Sequence, residues 1–117
     1  MERKKTIFAS VARTVLLVLA AAVFLLACSR STTPLLQFEV GQDAAFFRLV
    51  GQGMAQGKLP YRDYFDMKGP YLFWLEYLGA VIAPGRLGIF LVQCLCLSVS
   101  LYFAVKCFDL ATEDGVP

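Results

Sequence analysis

Two long apolar runs set the terms for everything else this chain can do. The first, "IFASVARTVLLVLAAAVFLLAC" at residues 7–28, is interrupted only by Ser10, Arg13 and Thr14. Its 22 residues make a helix of roughly 33 Å at 1.5 Å of rise each, enough to cross a bilayer. The second, "LGIFLVQCLCLSVSLYFAV" at residues 87–105, has 19 residues and reaches about 28 Å. Lipid offers no partner to a backbone N–H or C=O, so both runs are expected as helices. Composition agrees: 58% hydrophobic and 17% charged residues lie outside the usual balance of a soluble domain.

Flanking charge predicts orientation. Arg3, Lys4 and Lys5 crowd the entry to the first run, and Arg13 lies close enough to its start to carry its guanidinium back to the headgroups. The positive-inside bias then puts residues 1–6 in the cytoplasm, residues 29–86 outside it, and residues 106–117 back in the cytoplasm, with "DLATEDGVP" at 109–117 as a poorly ordered tail. The expected location is the cell membrane, crossed more than once. A rival is a secretion signal, because "LLAC" at residues 25–28 resembles a lipoprotein cleavage box with Cys28 as the acylated residue. A lipid-anchored exported domain has no need of the second run, which weighs against that rival.

Several chemistries are excluded early. There is no histidine, so a Ser-His-Asp relay, a Cys-His pair and imidazole metal ligands are absent, and carboxylates must carry any acid–base work. The net charge of +2 is spread along the chain without a basic stripe, so no nucleic-acid partner is expected. Cys28, Cys94, Cys96 and Cys107 all lie in or beside the apolar runs and read as small packing residues. Cys94 and Cys96, two apart on a helix, point to nearly opposite sides and cannot bridge.

The segment between the runs has its own elements. "DAAFFRLVGQGMAQG" places Asp43 as an N-cap, sets Phe46, Phe47, Val50 and Met54 at helical spacing, and stops at Gly57 ahead of Pro60. Gly51 and Gly53 weaken that helix by about 1 kcal/mol each relative to Ala. After Pro70, "YLFWLEYLGAVIA" runs to Pro84-Gly85; it is too short to cross a bilayer and suits an interfacial helix anchored by Tyr71, Trp74 and Tyr77. Glu76, in its middle, must face protein, headgroups or a wet cavity. The predicted fold is therefore an all-α membrane protein: two transmembrane helices, at 7–28 and 87–105, flank an external loop with two short interfacial amphipathic helices at about 43–56 and 70–83.

Between those short helices "LPYRDYFDMKGP", residues 59–70, concentrates charge and aromatics. Asp43 either caps its helix or, favoured by the positive end of the helix dipole, serves as a proton acceptor. Arg62 can pair with Asp63 or with Asp66 in a simple turn. Residue type alone leaves these alternatives open.

The residues also carry a resemblance. An acid shortly after the first span, then a helix with an aromatic and a glycine, then Gly-x-x-Pro-Tyr-Arg-Asp-x-Phe, then Lys-Gly-Pro opening another short helix, resembles the first external loop of the GT-C superfamily of integral-membrane glycosyltransferases, the polyprenyl-phosphate-sugar-dependent, protein mannosyltransferase-like enzymes. The matching positions, within residues 33–75, are Asp43, Phe47, Gly57, Pro60, Tyr61, Arg62, Asp63, Phe65, Lys68, Gly69 and Pro70.

The resemblance implies transfer of a sugar from a polyprenyl-phosphate carrier to an acceptor hydroxyl on a glycan, a protein or a wall polymer, at the outer membrane face. Asp43 matches the proposed general base, whose effect is typically 10²–10⁴-fold. Some members carry a second acid directly afterwards; here Ala44 stands there, so a divalent metal is left open and no metal ligand is assigned. Arg62 and Lys68 would stabilise charge on the leaving phosphate. Asp63 and Asp66 would orient those cations or bind the acceptor, and Tyr61, Tyr64 and Phe65 offer faces to sugar or prenyl groups. Members of the superfamily continue through many more spans, so the resemblance covers an N-terminal portion, expected to be inactive alone. The alternative is a small two-span protein whose loop binds a partner and catalyses nothing.

Overall fold

A computed structural model describes residues 2–35 and 41–113, with the side chains of residues 2–6, 9 and 113 left aside. Part of the GT-C-like stretch, at residues 36–40, and the last part of the expected disordered tail, at 114–117, lie outside the described residues. The described chain is all-helical: α1 spans Glu2–Cys28, α2 Gln42–Ala55, α3 Pro70–Ile82 and α4 Arg86–Glu113. Among the described residues the sole β-type pairing is an isolated bridge between Pro60 and Tyr64.

α1 and α4 are each long and apolar enough to cross a membrane, over Ser10–Cys28 and Arg86–Thr112. Only 6% of the first span and 28% of the second is buried against the rest of the chain. A core helix of a soluble protein would be covered; these two present most of their leucines, valines and phenylalanines outward, with Phe90 and Val92 of α4 turned in. They pack on each other, pinned near one end by an ion pair between Arg13 and Asp109 at 3.0 Å. At the other end, Thr32 Oγ1 donates to Gln93 Oε1 at 2.7 Å and is itself hydrogen-bonded to Ser29 Oγ.

Residues 109–113, expected as the start of a poorly ordered tail, instead prolong α4. The physical reason is local: Asp109 is held by Arg13, and Thr112 Oγ1 back-bonds to the Phe108 and Asp109 carbonyls, so the last turns have partners beyond the apolar run.

α2 starts on Gly41, whose carbonyl accepts from the Ala45 N–H at 3.0 Å. Asp43 is therefore not the N-cap: it sits two positions further in, in the first turn, and makes no side-chain cap bond. At the other end Gly57, at φ +87°, closes α2 in a Schellman arrangement. The Gly57 N–H donates to the Met54 carbonyl and the Lys58 N–H to the Gly53 carbonyl, at 3.0 and 2.9 Å. α3 opens with Gly69 as N-cap and Pro70 in its first turn, and stops at Pro84-Gly85 just ahead of α4.

The core lies where α2, α3 and α4 meet, on Val50, Phe73, Ile89 and Phe90. α2 lays its Val50, Gly51 and Gly53 face on α3. The two helices approach so closely that a methyl group added at Gly51 would come within 2.6 Å of the Glu76 backbone carbon. At the next junction Gly79 of α3 lies against Gly88 and Ile89 of α4. The whole is elongated, 56 Å by about 30 Å.

Candidate functional site

α2 and α3 advance in step. Phe47 meets Phe73 at 6.3 Å between ring centroids, Gly51 lies under Glu76, and Gln52 lines the same cavity as Gly79 and Ala80. The N-terminal ends of both helices therefore fall on the same side, and the connection at residues 56–69 must double back between them. Asp43 lies one turn before Phe47, at i,i+4 spacing and so on the same face. Phe73 in turn stands edge-on to the Tyr61 ring at 5.7 Å. Asp43 is exposed, in the first turn of α2, and its carboxylate makes no hydrogen bond or ion pair with any described residue.

The doubled-back segment is a compact turn. Asp63 organises it: its Oδ2 accepts from the Leu59 N–H at 2.8 Å, and its backbone N–H returns a bond to the Leu59 carbonyl at 2.9 Å. Arg62 settles onto the same carboxylate through Nε and Nη2, at 3.0 and 2.8 Å. The pairing is thus with Asp63, while Asp66 accepts from the Met67 N–H at 2.6 Å. Hydrogen bonds from Arg62 first, then from the Leu59 N–H, pull the Asp63 carboxyl down to about 2. The same bond and the charge of Asp63 raise Arg62 further above its already high value.

Tyr61 is the strained point. Its φ of +67° is in the left-handed region, which a bulky residue enters only when its surroundings over-determine it. Three contacts do so: its N–H donates to the Tyr64 carbonyl at 3.0 Å, its hydroxyl to the Lys68 carbonyl at 2.5 Å, and its ring abuts Phe73. Through these contacts the Lys68 backbone is held beside the start of α3. Lys68 is exposed, and no described carboxylate lies within ion-pair distance of it. Tyr64 turns inward so that its ring fills the space left by the missing side chain of Gly53, with Lys58 Nζ 5.7 Å above it. Phe65 and Met67 point the other way, 93% and 92% exposed.

Of the residues singled out from sequence, Tyr61, Arg62, Asp63 and Lys68 form one bonded turn, and Asp43 sits at the neighbouring helix end. Asp66 is outside the Arg62–Asp63 pair. Among the described residues no three Cys, Asp or Glu side chains converge where they could hold a metal ion. All four cysteines are free.

A second polar place was not assembled from sequence. Arg48 of α2 and Glu76 of α3 line a cavity of about 30 Å³ together with Gln52, Gly79, Ala80 and Ile89. Arg48 Nη2 donates to the Ser31 carbonyl at 3.4 Å, whereas its buried Nε has no partner among the described residues. Burial pushes the Glu76 carboxyl up, and the charge of Arg48 opposes that rise. The signal available in the sequence was one cation and one anion of opposite sign, each set among apolar residues of a short helix.

No family model matches the chain, and no curated protein or solved structure matches it.

Proposed function

We propose that this chain provides the first exported loop of a membrane glycosyltransferase that passes a sugar from a polyprenyl phosphate to an acceptor hydroxyl at the outer face of the cell membrane. α1 and α4 cross the bilayer, with both ends of the chain in the cytoplasm, and α2, α3 and their turn lie against its outer surface. The observation that carries this reading is the Asp43 carboxylate, without a partner among the described residues, at the helix end beside the Tyr61–Lys68 turn, since those residues match the GT-C pattern.

In this mechanism Asp43 takes the proton of the acceptor hydroxyl as its oxygen bonds to the anomeric carbon. The bond from that carbon to the carrier's phosphate oxygen breaks, and the polyprenyl phosphate leaves with the electron pair. Lys68 answers the developing charge. Arg62 is the weaker partner for that phosphate, because Asp63 already holds its Nε and Nη2 and neutralises its charge. Asp63 then acts by shaping the turn rather than by touching the sugar.

The test is Asp43→Asn in cells that make the intact gene product, with transfer followed from a radiolabelled polyprenyl-phosphate sugar. Loss of transfer with unchanged membrane insertion is expected; near-normal turnover would remove Asp43 from the chemistry. A second reading, a two-span protein whose loop binds a partner, draws on the outward Phe65 and Met67. Under that reading Phe65→Ser with Met67→Ser abolishes function while Asp43→Asn does not.

A further inference from the structure

The junction of α2, α3 and the start of α4 contains a donor without an acceptor. Arg48 Nε is buried and has no partner among the described residues, and a guanidinium left unsatisfied in a protein interior costs more than a neutral group would. The nearest acidic side chain, Glu76, borders the same cavity without closing on Arg48 as an ion pair. α2 and α3 touch backbone to backbone at Gly51 and Glu76, and the cavity is a gap lined by both charged residues. That gap, about 30 Å³, is far too small for a metabolite or a lipid headgroup. It exceeds the roughly 10–15 Å³ that one water requires, and three of its lining residues, Arg48, Gln52 and Glu76, carry polar side chains.

We propose that the cavity is a hydration site in which one ordered water accepts from Arg48 Nε and donates to the Glu76 carboxyl, with the Gln52 amide as its third partner. The water is then the polar link between α2 and α3, beside their glycine contact, and reaches through Arg48 to the Ser31 carbonyl behind α1. It does not depend on the proposed transferase activity.

Nuclear magnetic resonance on the full chain in lipid nanodiscs tests it, with ¹⁵N-labelled arginine and water-selective cross-relaxation. The Arg48 Nε–H is expected to show a cross-peak to a long-lived water and to exchange at least tenfold more slowly than the Nε–H of a surface arginine. Glu76→Gln, which retains an acceptor, keeps the cross-peak; Glu76→Leu removes it. Should Glu76→Leu fail to fold, Gln52→Leu serves as the second variant and weakens the cross-peak in an otherwise native spectrum. A slowly exchanging Nε–H with no water contact would mean that Arg48 and Glu76 close directly on each other, and would overturn the proposal. So would an Arg48 Nε–H that exchanges as fast as the surface one.

Discussion

Asp63 shows how much a single carboxylate can organise in an exposed turn. With its pKa pulled down to about 2, the folded turn binds a proton less readily than the unfolded chain, so its contribution is complete above the ordinary carboxylate range near pH 4. It is lost as pH falls through about 2. The protection factor of the Leu59 amide, taken against the intrinsic exchange rate at each pH, is expected to hold down to about pH 4 and to fall below it, and Asp63→Ala should remove that protection at neutral pH. Tyr61→Gly accepts the backbone angle without strain yet loses the Phe73 contact and the bond to Lys68, so it separates the two effects. If the turn needs the ring, fluorescence of Trp74, on the exposed side of α3, will report a loosened helix start. At this scale the sequence could show that Arg62 had a carboxylate within reach but not which one. It could not show that Gly41, in extended conformation, would displace Asp43 from the cap, because glycine carries no side chain to announce that role.

Helices α2 and α3 depend on a contact that propensity alone undervalues. Gly51 and Gly53 count against a helix taken in isolation, by about 1 kcal/mol each, yet both are buried where α3 and Tyr64 press against them. Gly51→Ala should therefore raise intrinsic helicity and still lower stability. The gain of about 1 kcal/mol is opposed by roughly 1–3 kcal/mol of overpacking, and denaturation of the chain in detergent micelles measures the sign. Phe73→Ala, at the centre of the ring cluster and 1% exposed, is expected to cost about 3–5 kcal/mol. Glu76 gives the pair a pH dependence of the opposite sense to Asp63. Its raised pKa means that the folded state holds the proton more tightly, so stability rises as pH falls from neutrality toward the usual glutamate value and levels off below it. Glu76→Gln should flatten that slope. Helix existence, the Pro70 start and the Gly57 stop were legible because caps and breakers are local. The partner of the α2 face was not, since an apolar stripe fits lipid and a neighbouring helix equally well.

For the whole molecule, the legible part was the pair of apolar runs, and the illegible part was what joins them. Asp109 lies 96 residues from Arg13, beyond the apolar run itself, and only the antiparallel packing of α1 on α4 brings them together. Both side chains remain partly exposed, 48% and 39%, so in water such a pair contributes at most about 1 kcal/mol. Arg13→Asp should weaken cross-linking between cysteines placed on α1 and α4, and adding Asp109→Arg should restore it. The step-by-step advance of α2 and α3 has a consequence for chain length. α2 is 14 residues long, about 21 Å at helical rise, and the stretch from 56 to 69 that retraces it could extend to more than 40 Å. Twice the needed tether is present, and the surplus is wound into the knot from Pro60 to Tyr64. Excising those five positions would still leave enough backbone to link the helices, so the knot exists for the side chains it displays and not for connectivity.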